Sequence, residues 1–394
     1  AKFFISVKGS GNKTIFSSKW IVTPTVSKDH TFDLPAGKKV SSLVLYTWTT
    51  DGKRAENRFG KVTFEGAKGK FPIDLSLSPP KTRSVKLDIR RAVANVLGMK
   101  KAHGPETQVR ALAGRNVFLI HTADSVTLEG VKSADIEAFS TGRRDGVHWV
   151  TQDLPGDEDW PGMRFAIALS ADSKTNRKAV AIVTSREAKD PLATAVALAR
   201  QTLKGDPASV IASHEARWRR FWSASGVDLG KGLLGETWYR NLYFLRCVTK
   251  SGVVCPGLFA GLIGDKPAWH GDYHTNYNIQ QTFWTAYVTN HPELAEPYDR
   301  LVSEYLPRAR WLARKVFDCR GAYYPHTLIA YEPPDPAKCK SPNGRQRIHH
   351  IWGFTQGVNG FTAQPLWWHY KYAPNRDLLA KVVYPVIRDV AIFQ

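Results

Sequence analysis

The sequence predicts a multidomain protein in which β-structure is followed by helices. An antiparallel β-sandwich is expected over residues 1–185, a helical linker over 186–230 and part of a helical toroid over 231–394. Three observations support this prediction. Short apolar runs separated by turn residues fill the first part, two Asp-Pro pairs mark helix starts in the middle, and strand-like alternation disappears after Gly230.

The first part contains short apolar runs with Gly, Asp, Lys and Pro between them and no helical pattern between the runs. Examples are Leu43–Tyr46, Val85–Ile89 and Asn116–Ile120. Many short strands without intervening helices are typical of an antiparallel sandwich. Phe165, Ile167 and Leu169 alternate with small residues, so we expect these three side chains to form the buried face of one strand.

The linker contains two predicted helices with the same start signal. Asp190 precedes Pro191 at the start of a helix through Lys204, and Asp206 precedes Pro207 at the start of a helix through Trp222. An aspartate can cap the first turn, and proline fits the first helical position because its missing N–H is not needed there.

Long helices joined by loops rich in Pro, Gly and His are expected after residue 230. The helical pattern covers about 235–249, 279–290, 293–317, 357–372 and 376–393. This arrangement suggests a helical toroid with a site at one end. The loop over 323–353 is longer than most connections and holds His326, Glu332 and Trp352. It is therefore either a wall of that site or a solvated loop with scattered charge.

Segment 267–284 concentrates side chains that can bind a ligand. It holds two His, two Asn, two Gln and one carboxylate beside three aromatic residues, Trp269, Tyr273 and Tyr277. Neutral hydrogen-bonding groups flanked by aromatic rings suit a polyhydroxylated ligand such as a carbohydrate. The alternative is a buried, hydrogen-bonded polar layer between helices.

The spacing inside this segment predicts its local conformation. His274, Asn276 and Asn278 are two residues apart, and alternate residues share one side of an extended chain. On a helix, residues two apart do not face each other. The three side chains are therefore expected to converge on one cavity from an extended segment, with a helix that begins near Asn278 as its N-cap.

The net charge of +20 favours anionic partners such as an acidic polysaccharide, or simply reflects a solvated basic surface. The basic residues are spread along the chain without a dense stripe or a nucleic-acid-binding motif, so no nucleic-acid partner is expected. No apolar run is long enough to span a membrane. The sequence also lacks metal-ligand spacing, so neither a metal nor another cofactor is expected.

Two features bear on the cellular compartment. A disulfide between Cys319 and Cys339 would close a loop of about 20 residues around a proline-rich segment. The first residue is Ala1 and not Met, which fits a processed, exported protein. We therefore expect a secreted or periplasmic location.

The run Trp269–Gln281 resembles the signature of glycoside hydrolase family 95, which contains inverting α-L-fucosidases and related α-L-galactosidases. Similar stretches occur in the same order at His214–Leu229, Asn241–Phe244 and Pro365–Tyr370. The resemblance is good over about residues 160–394. It implies an N-terminal β-sandwich, a helical linker and an (α/α)6 barrel.

The resemblance also implies an unusual inverting hydrolysis, in which an asparagine amide polarised by a carboxylate holds the attacking water. By position, Asn278 matches the water-holding residue and Asn276 its partner. The residues expected to bind substrate are His274, Trp269, His270, Asp272 and Tyr273.

The chain departs from the family pattern at its C-terminal end. In the family, the general acid and the carboxylate partner of the asparagine come from later in the barrel, whereas this chain ends at Gln394 inside a predicted helix. The expectation is a truncated barrel, or one that a second chain completes. Two other functions stay open at this point: a non-catalytic carbohydrate-binding protein on the same fold, and a phosphorolytic relative.

Overall fold

The computed structural model describes residues 2–9, 13–17, 19, 21–22, 40–48, 62–63, 72–73, 84–97, 107–130, 136, 138–230, 232–258, 268–328, 330, 332, 335–340, 348, 351–355 and 357–394. The chain divides into two compact units, Ala1–Thr82 and Arg83–Gln394.

The first unit is built from antiparallel strands. In one sheet, β1 pairs with β2, β3 and β4, and β5 pairs with β6 in a second, smaller sheet. The strands are β1 (Lys2–Gly9), β2 (Thr14–Ser17), β3 (Ile21–Val22), β4 (Val40–Trp48), β5 (Val62–Thr63) and β6 (Pro72–Ile73).

The second unit begins with an eight-stranded sheet in the order β11-β12-β13-β14-β10-β9-β8-β7, and every neighbouring pair is antiparallel. Its strands are β7 (Ser84–Asp88), β8 (Val93–Leu97), β9 (Thr107–Ala111), β10 (Val117–His121), β11 (Ser140–Arg144), β12 (Val147–Leu154), β13 (Met163–Asp172) and β14 (Arg177–Thr184). Antiparallel β-structure ahead of the helices is therefore confirmed. The sandwich and the division into three domains at residues 185/186 and 230/231 stay predictions.

The buried face of β13 differs from the predicted one. Ala166 and Ala168 are fully buried, whereas Phe165 and Ile167 are only half-buried. The predicted burial of Leu169 is confirmed. The small residues face the core because the first helix packs across β13 and β14 through its own alanines, and small side chains on both surfaces allow that close approach.

Both predicted linker helices are present, as α1 (Pro191–Lys204) and α2 (Pro207–Trp222). Each begins after the predicted aspartate, whose carboxylate accepts a hydrogen bond at 2.9 Å from the backbone N–H three residues later. The cap and the proline act on the same turn, which explains why the sequence locates these starts to the residue.

His214 of α2 joins this helix to two turns of the eight-stranded sheet. Its Nδ1 accepts a hydrogen bond from the Ala113 N–H at 3.1 Å, and its Nε2 donates to the carbonyl of Arg91 at 3.0 Å. The ring is 2% exposed, and burial lowers the pKa of His214. Both ring nitrogens are satisfied only in the neutral form, because a protonated Nδ1 cannot accept the Ala113 bond.

Six helical segments follow, close to the predicted bounds. They are α3 (Leu233–Val248), α4 (Asn278–Val288), α5 (Glu296–Val316), α6 (Val358–Tyr372), α7 (Arg376–Leu378) and α8 (Tyr384–Phe393). A π-helical turn, Leu379–Val383, joins α7 to α8 without a break. On the α2 side, Trp218 stacks on Tyr243 of α3 with ring centroids 5.0 Å apart.

The helices α4 and α6 run parallel to each other. Tyr277 stacks on Phe361 near the start of both helices, with ring centroids 6.5 Å apart. Tyr287 stacks on Tyr372 near the end of both, at 6.4 Å. We refer to the end at which α4 and α6 begin as the site end.

The helices α5 and α8 run in the opposite direction and finish at the site end. Asp299, near the start of α5, bonds His369, near the end of α6. Phe317, directly after α5, and Phe393, at the end of α8, are in edge contact at 5.3 Å. The site end is therefore bounded by the first residues of α4 and α6 and by the last residues of α5 and α8.

The predicted disulfide is not formed, because all four cysteines are free. Cys319 is exposed just after α5, and its thiol donates to the carbonyl of Phe317 at 3.2 Å. Cys339 is buried and contacts the carbonyl of Asp335 at 3.6 Å. Each thiol is thus held by its own local turn. Among the described residues, no helix is long and apolar enough to cross a membrane, and no cluster of three metal-ligating side chains is found.

Replacing His214 with Ala should lower the free energy of unfolding by about 2–4 kcal/mol, since the Ala113 N–H and the Arg91 carbonyl lose their partner and a cavity forms. Ser213→Ala, at an exposed position on the same helix, is the matched control and should have little effect. Denaturant unfolding monitored by tryptophan fluorescence measures both.

The same residue should make stability depend on pH. The folded-state pKa of His214 is depressed, so its stabilising contribution is present above the unfolded value, about 6.5, and is lost as pH falls toward the folded value. The wild-type melting temperature should therefore fall more steeply below about pH 6.5 than that of His214→Gln. Equal slopes for the two proteins would contradict this assignment.

Candidate active site

The predicted motif folds as several short pieces. A 3-10 helix (Ala268–Gly271) is followed by strand β15 (Tyr273–His274), a turn over 275–277 and then α4. Trp269 and Gly271 have φ angles of +49° and +68°. These left-handed residues turn the chain sharply just before β15, and they leave Trp269 62% exposed.

The long loop over 323–353 reaches this motif. β15 pairs antiparallel with β16 (Thr327–Leu328), a short strand within that loop, with His274 opposite Thr327. The loop residue His326 lies beside His274, with ring centroids 5.0 Å apart. This contact supports the prediction that the loop forms part of a site wall.

Thr275 ends the extended segment earlier than predicted. It is fully buried, its Oγ1 donates to the Pro325 carbonyl at 2.6 Å, and its N–H donates to the His326 carbonyl at 2.7 Å. The Thr275 carbonyl accepts a hydrogen bond from the side-chain amide of Gln280 in α4. These bonds force a turn after His274, so the predicted extended conformation through residue 278 is wrong.

His274 is held by a carboxylate and flanked by two rings. Its Nδ1 is hydrogen-bonded to Asp272 Oδ1. The Trp269 and His274 rings are in edge contact, with centroids 6.0 Å apart. His326 also contacts the His274 ring. A neutral imidazole that donates from Nδ1 to a carboxylate keeps its Nε2 lone pair, which can accept a hydrogen bond from a ligand hydroxyl.

Both motif asparagines are exposed. Asn276 lies in the turn, and Asn278 is the first residue of α4, with Tyr277 as the N-cap in place of the predicted Asn278. Within the described part of the chain, neither side-chain amide has a hydrogen-bond partner. Both amides are therefore accessible to water or sugar hydroxyls, which a buried polar layer between helices would not allow.

Tyr273 and His270 are also predicted to bind substrate, and neither is shown in an exposed position. The hydroxyl of Tyr273 donates to the Cys255 carbonyl at 2.8 Å, and its ring packs against the helical core, so this side chain supports β15. The side chain of His270 lies outside the described residues.

Two cavities among the described residues lie elsewhere. One, of about 300 Å³, lies beside α5 and is lined in part by Arg300, Tyr305 and Glu332. The other, of about 660 Å³, lies between the ends of α5 and α8. Neither is lined by His274, Asn276 or Asn278. The convergence of these three side chains on one cavity stays a prediction.

An aromatic row that the motif alone does not reveal extends from the site between the parallel helices. Tyr277, 43% exposed, contacts Trp284 at 5.5 Å and stacks on Phe361. Trp284 in turn contacts Trp368 at 5.7 Å. The sequence signal is the spacing of seven residues between the two rings on each helix, which places them on one face.

A buried acid–histidine pair lies deeper between the helices. The Asp299 side chain is 4% exposed and bonds His369 Nδ1. Burial raises the pKa of Asp299, and the bond to His369 offsets part of that effect. The two residues are 70 positions apart, so no local pattern connects them. Their bond links α5 to α6 behind the aromatic row.

Comparison with known proteins finds a family model that is similar to the part of the chain that contains the motif. Residues 255–394 match the model of the glycosyl hydrolase family 95 catalytic domain. The chain is 24% identical over 130 residues to Probable alpha-fucosidase A of Aspergillus niger, which covers 32% of this chain and 15% of that protein. It is 23% identical over 128 residues to Alpha-L-fucosidase 2 of Arabidopsis thaliana, 32% of this chain and 14% of that protein. The alignments thus span less than a sixth of either relative.

A solved structure shows the fold. A putative kojibiose phosphorylase from the human microbiome superposes with a TM-score of 0.54 at 12% identity, over 78% of this chain and 44% of that one. At this identity the likeness concerns the fold alone, that of an (α/α)6-barrel enzyme. The predicted β-plus-α multidomain fold is confirmed. The predicted resemblance to glycoside hydrolase family 95 is also confirmed, by the match of residues 255–394 to the model of that family's catalytic domain.

Proposed function

We propose that this chain belongs to an inverting glycoside hydrolase that removes α-linked L-fucose-like or L-galactose-like sugars from oligosaccharides or polysaccharides. The observation that carries the proposal is the pair of exposed amides of Asn276 and Asn278, which have no hydrogen-bond partner among the described residues and closely follow the carboxylate-held His274 in the chain. Membership of the matched segment in a glycosidase family and the names of the two curated relatives support the substrate class.

In the proposed reaction, the amide oxygen of Asn278 holds a water molecule that attacks the anomeric carbon, with Asn276 as its partner. The water passes a proton to the amide oxygen of Asn278, which a carboxylate polarises, as the water oxygen bonds to the anomeric carbon. The bond from that carbon to the glycosidic oxygen breaks as the glycosidic oxygen takes a proton from a general acid. An amide is a weak base, so Asn278 must be polarised by a carboxylate. No residue of this chain matches the family motif for either carboxylate.

The bond between Asp272 and His274 defines the role of the acid inside the motif. Asp272 is engaged with His274 Nδ1, so it orients an imidazole and is unsuited to protonate a leaving group. His274 would then bind a sugar hydroxyl through Nε2, while the exposed face of Trp269 stacks on the sugar ring.

The products distinguish this function from its two alternatives. A hydrolase releases the free sugar whether or not phosphate is present, while a phosphorolytic enzyme requires phosphate and releases a sugar phosphate. Binding of the oligosaccharide without any product would support a carbohydrate-binding protein. Chromatography of the products from a fucosylated oligosaccharide, with and without phosphate, separates the three. The secreted or periplasmic location remains part of the proposal.

In the complete protein, replacing Asn278 with Ala should lower kcat by about 10²–10⁴-fold, the usual contribution of a positioned proton-transfer group, while the substrate still binds. Turnover of an aryl α-L-fucoside and calorimetric binding of a fucosylated oligosaccharide measure the two effects. Asn241→Ala, at an exposed position on α3, is the matched control. Unchanged turnover in Asn278→Ala would contradict the mechanism but not the fold.

Replacing His274 with Ala should raise KM about tenfold or more with a smaller change in kcat, because a ground-state hydrogen bond to the sugar is lost. Asp272→Ala should raise KM in the same direction, since the imidazole loses the group that orients it. A loss confined to kcat in both variants would show instead that this pair acts in the chemical step.

A further inference from the structure

A second concave surface at the site end is strongly basic. This cavity, which we call the arginine cavity, has a volume of about 660 Å³. Four arginines and two aspartates among its lining residues give it a formal charge of +2: Arg310, Arg314, Arg320, Arg388, Asp318 and Asp389. The partial negative charge at the end of α5 amounts to about half a unit, so the cavity remains positive.

The floor of the arginine cavity is a buried carboxylate that holds two guanidinium groups. The Asp389 side chain is 7% exposed and accepts hydrogen bonds from Nε of Arg310 and, at 2.7 Å, from Nε of Arg388. Burial alone would raise the pKa of Asp389, but the two arginines bring it below its ordinary value, so the carboxylate stays ionised. Each guanidinium uses Nε for this bond and keeps terminal N–H donors for another ligand.

The rim of the cavity is fixed by a close backbone approach. Gly321 has φ +88°, and a Cβ there would lie 2.3 Å from the Asp389 carbonyl oxygen and 2.5 Å from the Phe393 nitrogen. The next residue, Ala322, donates its N–H to the Asp389 carbonyl at 2.8 Å. The loop that carries Arg320 is therefore pinned to α8, although the Arg320 side chain is exposed.

Helix-dipole compensation explains only part of this cluster. Arg314 lies in the last turn of α5, where a cation offsets the partial negative charge of the helix end. Arg310 lies more than one turn before the end of α5, beyond the reach of that effect. Within the described residues, Arg314 and Arg320 have no anionic partner.

The fold places the arginine cavity at the same end of the helices as the candidate active site. α4 begins there with Asn278, and α5 and α8 finish there beside Phe317 and Phe393. A polysaccharide bound at Asn278 would therefore lie at the same end of these helices as the basic concavity.

We propose that the arginine cavity binds a sulfate or carboxylate group of an acidic polysaccharide on which the candidate site acts, an inference that rests on the proposed function. The planar guanidinium group matches the oxygens of a sulfate or carboxylate in a two-point hydrogen bond. A volume of about 660 Å³ admits a substituted sugar residue, well beyond a single small ion.

Calorimetric binding of a sulfated fucan oligosaccharide and of its desulfated form tests the inference without turnover. The wild-type chain should bind the sulfated form about tenfold or more tightly, and Arg314→Gln/Arg320→Gln should remove that preference. Arg220→Gln/Arg376→Gln removes the same charge from exposed positions on α2 and α7 and should keep it. The preference should also weaken as salt rises, because exposed charges are screened.

Three results would overturn the inference. Equal loss of preference in both double variants would show that net charge alone attracts the sulfated chain. Inorganic sulfate that binds in the cavity while sulfated and desulfated oligosaccharides bind alike would show a simple anion site. Release of fucose with no dependence on sulfate leaves the proposed function and removes this inference. Sulfate-dependent binding through Arg314 and Arg320 without hydrolysis would support this inference and contradict the proposed function.

Discussion

The buried hydrogen bonds of Thr275 are the constraint on which the candidate site depends. One residue joins three parts of the chain: it ends β15, holds the long loop through Pro325 and His326, and receives the side-chain amide of Gln280 from the first turn of α4. Because its polar groups are all engaged away from water, releasing one of them would leave a buried donor or acceptor without a partner, at a cost of about 1–3 kcal/mol. The positions of His274, Asn276 and Asn278 all follow from this junction.

Features encoded by neighbouring residues could be predicted from the sequence. The starts of α1 and α2 follow from Asp190 and Asp206, each placed directly before a proline. The five helical patterns after residue 230 also correspond to observed helices, since a periodic run of apolar residues needs only one core to pack against. The start of α4 was predicted from the preference of Asn for the N-cap, and the observed N-cap, Tyr277, lies one residue before the predicted one, Asn278.

Features that depend on distant partners could not be predicted in this way. Which face of β13 is buried is decided by α1, so the larger side chains Phe165 and Ile167 are not the most buried ones. The turn after His274 is imposed by carbonyl groups some fifty residues further along the chain. The contact between His274 and His326 depends on the same loop. Alternation within a short segment carries no information about such partners, and here it predicted an extended conformation that the loop prevents.

The π-helical turn Leu379–Val383 affects which side chains of α8 face the core. A π turn accommodates one residue more than an α turn, so it acts as a single-residue insertion inside an otherwise continuous helix. Each residue of a helix advances the side-chain direction by about 100°, and the insertion rotates everything after it by that amount. With this rotation, Asp389 lies against Arg310 and Val386 and Val390 enter the core. The one additional residue in the π turn thereby determines which side chains of α8 face the core.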